Sequence, residues 1–301
     1  MKRKILVIVG PTAVGKSALA VRLAKKIGGE IISADSRQVY RGLNIGTGKI
    51  TKKEMAGVPH HLLDVTDPKK QFSVADFVRL GSEKIAAIFS RNHIPIICGG
   101  TGFYISALLG EIKLPPAPPN LKLRQKLEKK SAVELFAILE KLNPARAAKI
   151  DRRNPRRLIR AIEIASEPSD TPCPHPVDTA CLQVLKIGLT IPPDKLKEKI
   201  RARLLARLRQ GMIAETKKSH RQGLSWKRME ELGLEYRYLA KYLKNKMSKN
   251  EMIEKLNTEI WRYAKRQMTW FKRDKIIRWF SPNDFKKIWA LTQGQSPSSN
   301  W

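Results

Sequence analysis

The chain has 301 residues, 42% of them hydrophobic, and carries 59 Lys and Arg against 27 Asp and Glu, a formal charge of +32. That excess predicts a polyanionic partner, nucleic acid or an anionic membrane surface. No run of about 18 apolar residues occurs, which excludes a membrane-spanning helix, and the three cysteines are irregularly spaced, which fits a reducing, cytoplasmic compartment rather than a disulfide framework.

The start of the chain is basic, but the apolar run 5–9 is too short for a signal-peptide core. It reads instead as a buried parallel strand ending in Gly10. A helix is predicted from Ser17 to Ile27, where Leu19, Ala20, Leu23, Ala24 and Ile27 share one face. A second strand, 31–34, ends at Asp35. Ser73 and Asp76 are spaced as a capping box, predicting a helix to about Ser90. Another buried strand, 94–98, closes on Gly99 and Gly100. Repeated β-α-β units imply a parallel sheet with helices on both faces.

Four prolines between Leu114 and Asn120 mark a boundary. Helices are expected over 121–130, 132–142 and 154–166. A segment rich in Pro, Ser, Thr and Asp follows over 167–179. One more core strand is read at 184–189, and the chain is helical again from Lys195, with Leu196, Ile200, Leu204, Leu208 and Met212 recurring every four residues. The expected architecture is α/β: a phosphate-loop parallel-sheet core from 1–114 and 184–301 with a helical C-terminal region, and a mainly helical insertion over 115–183. Cys173, His175 and Cys181 lack a second Cys/His pair and read as loop residues rather than metal ligands.

Gly10, Pro11, Thr12, Ala13, Val14, Gly15, Lys16 and Ser17 fit G-x-x-x-x-G-K-[ST] at every defined position, between a predicted strand and a predicted helix. The glycines let backbone N–H groups turn around an oxyanion, and the helix start adds its positive dipole end. Lys16 contributes a full charge and Ser17 a hydroxyl for Mg2+. ATP, GTP and an isoprenyl diphosphate would all suit this loop. Asp35, at the carboxyl end of its strand, could bind a cation through water, accept a proton, or simply form a turn. The Gly99–Gly102 cluster, with Thr101, should face the same crevice. Two basic runs complete the inventory, 151–160 and 258–273. The second interleaves Trp261, Tyr263, Trp270 and Phe271 with cations including Lys265 and Arg266. Its aromatics read as core, and its cations as contacts to a nucleic-acid backbone.

In order and spacing these blocks resemble the tRNA dimethylallyltransferase (isopentenyltransferase) family. The similar blocks are 10–17, 35–49, 58–64, 72–77, 99–104, 154–163 and 263–271; the stretches 121–150 and 167–183 carry little of the likeness. The resemblance implies a P-loop NTPase-like fold. The implied reaction transfers a dimethylallyl group from dimethylallyl diphosphate to the exocyclic N6 amine of adenosine-37, beside the anticodon, with release of diphosphate. It further implies Asp35 as general base, Thr101 and Arg203 as catalytic partners on the diphosphate side, residues 10–17 as the diphosphate cradle, and Mg2+ on Ser17. Asp35, Ser36, Arg37, Gln38, Arg156, Arg157, Leu158, Ile159, Arg160, Lys265 and Arg266 are the implied tRNA contacts. The expected partners are a tRNA anticodon stem-loop and the diphosphate donor, without a membrane, for a monomeric chain. Three segments depart from the family pattern: Ile260, Trp261 and Arg262 stand where it usually reads Thr-Arg-Gln, Leu232–Tyr238 matches only in outline, and the Pro- and Ser-rich segment 167–179 is unusual. A phosphate-loop kinase or ATPase is the alternative. No apolar run ending in Asp clearly supplies the second Mg2+ ligand such an enzyme needs.

Overall fold

The computed structural model describes residues 3–115, 120–166 and 182–294. These fall into two compact units, one within Met1–Glu111 and Pro176–Trp301, the other within Ile112–His175.

The first unit begins β1 (Arg3–Val9), α1 (Lys16–Ile27), β2 (Gly29–Ala34), α2 (Lys52–Met55), β3 (His60–His61), α3 (Val74–Ser90), β4 (Ile94–Gly99) and α4 (Gly102–Leu108). It resumes with β5 (Leu182–Leu189), after the second unit's α5 (Leu121–Leu127), α6 (Ala132–Leu142), α7 (Pro144–Ala147) and α8 (Pro155–Ser166). It then runs α9 (Pro193–Arg209), α10 (Met212–Arg221), α11 (Trp226–Leu232), α12 (Leu234–Leu243), α13 (Lys249–Phe271), β6 (Arg278–Phe280) and α14 (Phe285–Thr292). The six strands lie in the order β3-β2-β4-β1-β5-β6, and every pairing is parallel.

Strand periodicity divides the core between the two faces of the sheet. Leu6 and Ile8 pack with α1 and α14 through Leu19, Leu23, Phe285 and Ile288. Ile5, Val7 and Val9 pack with α3 and α4 through Phe77, Ile85, Ile105 and Leu108. Both faces are covered, so the strands read as continuous apolar runs. The one charge buried in β5, Lys186, is held by Glu111 and Asp274. The Ser73/Asp76 capping box is formed, and α3 ends at Ser90 as its sequence predicts.

A third apolar cluster joins α9, α12 and α13 through Leu196, Ile200, Leu204, Leu239, Met252, Leu256 and Ile260. Leu204 and Met212 both belong to it, but on different helices: Gly211 takes a φ of 97° and starts α10. The four-residue repeat therefore crosses a helix boundary. Within the second unit, Leu135, Leu139, Leu158 and Ile162 form a small core. Beside it Glu163, 1% exposed, takes a two-pronged contact from Arg124 at 2.7 and 2.8 Å, one from Arg160 at 3.2 Å and the Asn120 N–H at 2.9 Å. Strands β3 and β6 went unseen in the sequence, and α5 ends three residues before the expected Lys130. Cys173, His175, Cys181 and the whole 167–179 segment lie outside the described residues.

Candidate active site

Gly10 leaves β1 at φ 141°, and a Cβ there would lie 2.5 Å from the Leu189 carbonyl oxygen of β5. Only glycine lets the loop turn this close to the neighbouring strand. Ala13 at φ 65° and Gly15 at φ 105° continue the turn, and Gly15 caps α1. Not every member of the loop faces an anion. Pro11 has no N–H, and its carbonyl accepts the Lys16 ammonium at 2.7 Å. The Thr12 N–H is taken at 2.8 Å by the side-chain oxygen of Gln267. The Val14 side chain is core, 1% exposed. The remaining donors are the N–H groups from Ala13 to Ser17, where α1 has no carbonyl a turn earlier to receive its first donors. Burial, helped by the Arg203 charge and opposed by Asp35, pulls the Lys16 ammonium down to about 8. Cys98 is buried, its thiol pushed up to about 11, so it stays neutral.

The other predicted groups converge on this loop. Asp35 follows β2, and one of its carboxylate oxygens accepts the Arg37 N–H at 2.8 Å and the Gln38 N–H at 3.4 Å. The turn-forming and chemical readings of Asp35 are therefore compatible: one oxygen holds the turn. Thr101 starts α4, and its hydroxyl accepts the Ser36 N–H at 3.1 Å while its own N–H donates to Ala34 at 3.1 Å. Arg203, on α9, donates to the Gly48 carbonyl at 3.0 Å, and the Gln38 amide donates to the same oxygen at 3.3 Å.

The sequence reading missed what holds the 41–49 loop in place. Glu215 accepts three successive backbone N–H groups, from Asn44, Ile45 and Gly46, at 2.8, 2.7 and 2.9 Å, and the Tyr236 hydroxyl at 2.9 Å. Buried Arg207 donates to the Gly46 carbonyl at 2.9 Å and pairs with Glu235 at 2.8 Å. The i, i+4 spacing of Arg203 and Arg207 was the available signal, since it sets both on one face of α9.

The proposed nucleic-acid contacts divide by exposure. Lys265 and Arg266 are exposed on α13, near the Trp261 and Tyr263 rings respectively. In the second unit Arg156 and Arg157 are exposed, while Arg160 is partly spent on Glu163. Leu158 and Ile159 are a correction. They are 0% and 7% exposed in that unit's core, because α8 turns its apolar stripe inward, and their side chains cannot meet an RNA. Among the described residues no group of three or more His, Cys, Asp or Glu could hold a metal. Any cation at this site rests on few protein ligands. The exposed Ser17 hydroxyl, at the second residue of α1, is the suitable one.

A parallel sheet with a phosphate loop after β1, an aspartate after β2 and a capping threonine after β4 defines a phosphate-loop α/β protein. In open α/β sheets of this kind, ligands bind at the carboxyl ends of the strands. The IPP transferase family model matches residues 38–274, and the isopentenyl transferase model residues 3–69. A tRNA dimethylallyltransferase of Treponema denticola is 44% identical over 96% of both chains. The full-length tRNA isopentenylpyrophosphate transferase of Bacillus halodurans, a solved structure, is 37% identical, with a TM-score of 0.73 over 98% of this chain and 97% of that one. A eukaryotic dimethylallyltransferase acting on tRNA shares the fold, with a TM-score of 0.80 at 24% identity over 99% of this chain and 81% of its own. The chain belongs to the IPP transferase family, whose curated relatives here are tRNA dimethylallyltransferases. The kinase or ATPase alternative finds no support among them.

Proposed function

We propose that the chain transfers a dimethylallyl group from dimethylallyl diphosphate to the N6 amine of adenosine-37 in a tRNA anticodon stem-loop, releasing diphosphate. The observation that carries this reading is that Asp35 acts electrostatically on Lys16 and Thr101 holds the residue after Asp35, beside the Gly48 carbonyl that Arg203 and Gln38 share.

The amine is a poor nucleophile because its lone pair is delocalised into the purine ring. The Asp35 carboxylate oxygen that is not holding the turn accepts the proton as the nitrogen bonds to the donor's first carbon. The carbon–oxygen bond to diphosphate breaks in the same step. The N–H groups of residues 13–17, the Lys16 ammonium, the Thr101 hydroxyl and the Arg203 guanidinium face the charge that develops on the departing oxygen. Mg2+, carried by Ser17 and the diphosphate's own oxygens, would supply further charge neutralisation on the leaving group. The adenine must leave its stack to reach the donor. Lys265 and Arg266 in the first unit, and separately Arg156 and Arg157 in the second, supply cations for tRNA phosphates. Asp35, Ser36, Arg37 and Gln38 are the residues assigned in this reading to receive the extruded base.

The deciding experiment incubates the protein with dimethylallyl diphosphate, Mg2+ and unmodified tRNA, then analyses digested nucleosides by mass. N6-dimethylallyl adenosine without ATP or GTP is the expected product. ATP-dependent turnover with no prenylated adenosine would overturn the reading.

A further inference from the structure

One buried side chain reaches both anion-facing turns without being part of either. Gln267 lies on the inner face of α13 and is 6% exposed. Its oxygen accepts the Thr12 N–H of the phosphate loop at 2.8 Å, and its amide nitrogen donates to the Gly100 carbonyl, at the end of β4, at 2.9 Å. The two partners fix the amide's orientation, since an N–H can only donate and a carbonyl only accept. Gly100 is shaped for this contact: a Cβ there would stand 2.1 Å from the Gln267 nitrogen. A further residue of the same helix reaches the same turn: Trp270 lies so near Gly102 that a Cβ there would stand 2.2 Å from its ring.

We infer that Gln267 is a positioning residue that fixes the spacing between the phosphate loop and the 99–102 turn, and so sets the width of the cradle that receives the diphosphate. It touches neither donor nor acceptor. With Thr12 held outward, the donors from Ala13 to Ser17 converge on one side, and Thr101 is held on the other. A core amide serving stability alone would need only satisfied partners. This one joins two turns that meet the same ligand, 167 residues apart in sequence from Gly100 and 255 from Thr12.

The inference rests on the diphosphate-donor reading above. Its test therefore starts from wild-type protein shown to form prenylated adenosine; failure there counts against that reading and not against Gln267. Gln267→Met keeps the side chain's length and removes both bonds. Gln267→Glu keeps the acceptor for Thr12 and turns a second acceptor against the Gly100 carbonyl. Calorimetric titration with inorganic pyrophosphate and Mg2+ should show about tenfold weaker binding in the Met variant. Single-turnover prenylation at saturating donor should fall by about 10- to 100-fold, because small misplacements of reacting groups are costly. The tRNA dissociation constant should stay within about twofold, since Lys265 and Arg266 are untouched. If the Met variant does not fold, the Glu variant decides, with the same direction expected. Lowered thermal stability with unchanged pyrophosphate affinity and single-turnover rate, in whichever variant folds, would reduce Gln267 to a structural residue and overturn the proposal.

Discussion

The Thr101 hydroxyl accepts the backbone N–H of Ser36 at 3.1 Å, which ties the turn after β4 to the turn after β2. Neither turn is adjacent to the other in sequence, yet each carries one of the proposed catalytic groups. Thr101→Val keeps the shape and loses the bond. It should lower single-turnover prenylation by about tenfold or more and leave tRNA affinity near wild type. Thr101→Ser should recover most of the loss. A fully active Val variant would remove Thr101 from the mechanism.

Asp35→Asn retains a side-chain oxygen for the Arg37 and Gln38 N–H groups, so the turn survives. Only the proton acceptor is lost. Chemistry should slow by roughly 10²–10⁴, with donor and tRNA binding nearly unchanged. Rapid-quench analysis at saturating substrates separates the two, and a wild-type rate would dismiss Asp35 as the base.

Lys16→Ala should weaken pyrophosphate binding about 10- to 100-fold and slow turnover as well, because the ammonium faces the anion in both ground and transition states. The free protein holds Lys16 near 8 through burial. Below that pH the group is charged and the anion binds at full strength. Above it, binding must first restore the proton, so affinity should fall as pH rises through about 8 and 9. Lys16→Arg, charged throughout this range, should lack that component. Calorimetry in buffers of different ionisation enthalpy would reveal the proton uptake.

At the amino ends of the strands, far along β2 from Asp35, buried Glu30 receives Arg91 at 2.8 and 3.0 Å, His61 at 2.6 Å and His93 at 2.8 Å. The Arg91 hydrogen bonds, against the opposing cost of burial, bring its carboxyl down to about 2 from 4.5. A folded value below the unfolded one means stability is fully present above about 4.5 and lost as pH falls toward 2. Glu30→Gln should cost about 1–3 kcal/mol at pH 7 and flatten that acid limb. Urea denaturation across the pH series checks it; parallel acid limbs for both proteins would refute the assignment.

Replacing Arg156 and Arg157 by Ala should reduce the salt dependence of tRNA binding by about 0.7–0.9 log units per log unit for each phosphate no longer neutralised, with stability unchanged. Arg160→Ala should behave differently, since it leaves buried Glu163 with one fewer cation. Its thermal stability should drop along with its affinity. Filter binding and thermal melts on the same variants distinguish the two kinds of arginine.

Much of the first half was legible because local chemistry and final structure agree there. Gly10, Gly15 and Lys16 announce the loop, and Ser73 with Asp76 announces α3, each through a few contiguous residues. Strand β6 was not legible: Arg278, Trp279 and Phe280 carry no periodicity and become a strand only because β5 offers an edge at Ile187, Gly188 and Leu189. Glu215 looked like one more helix carboxylate. It acts on N–H groups 169–171 residues away, and no local pattern encodes such a distance. Leu158 and Ile159 misled for the opposite reason. They sit inside a motif full of arginines, and their own helical spacing, which places them inward, was the better guide.

The register of β5 on β1, from Arg3 against Leu182 to Val9 against Gly188, has a consequence for how the chain is made. In translation order this partner follows β1 by roughly 180 residues. At about 5–20 residues per second that interval is roughly ten to forty seconds. Throughout it one flank of a strand that is apolar from Ile5 to Val9 has open backbone donors and acceptors, the condition under which nascent chains pair wrongly with one another. The second unit, whose helices contact one another locally, can form within that interval. The sheet that carries the candidate site cannot close until β5 has been made, which makes that event, more than any local propensity, the moment at which this protein commits to its fold.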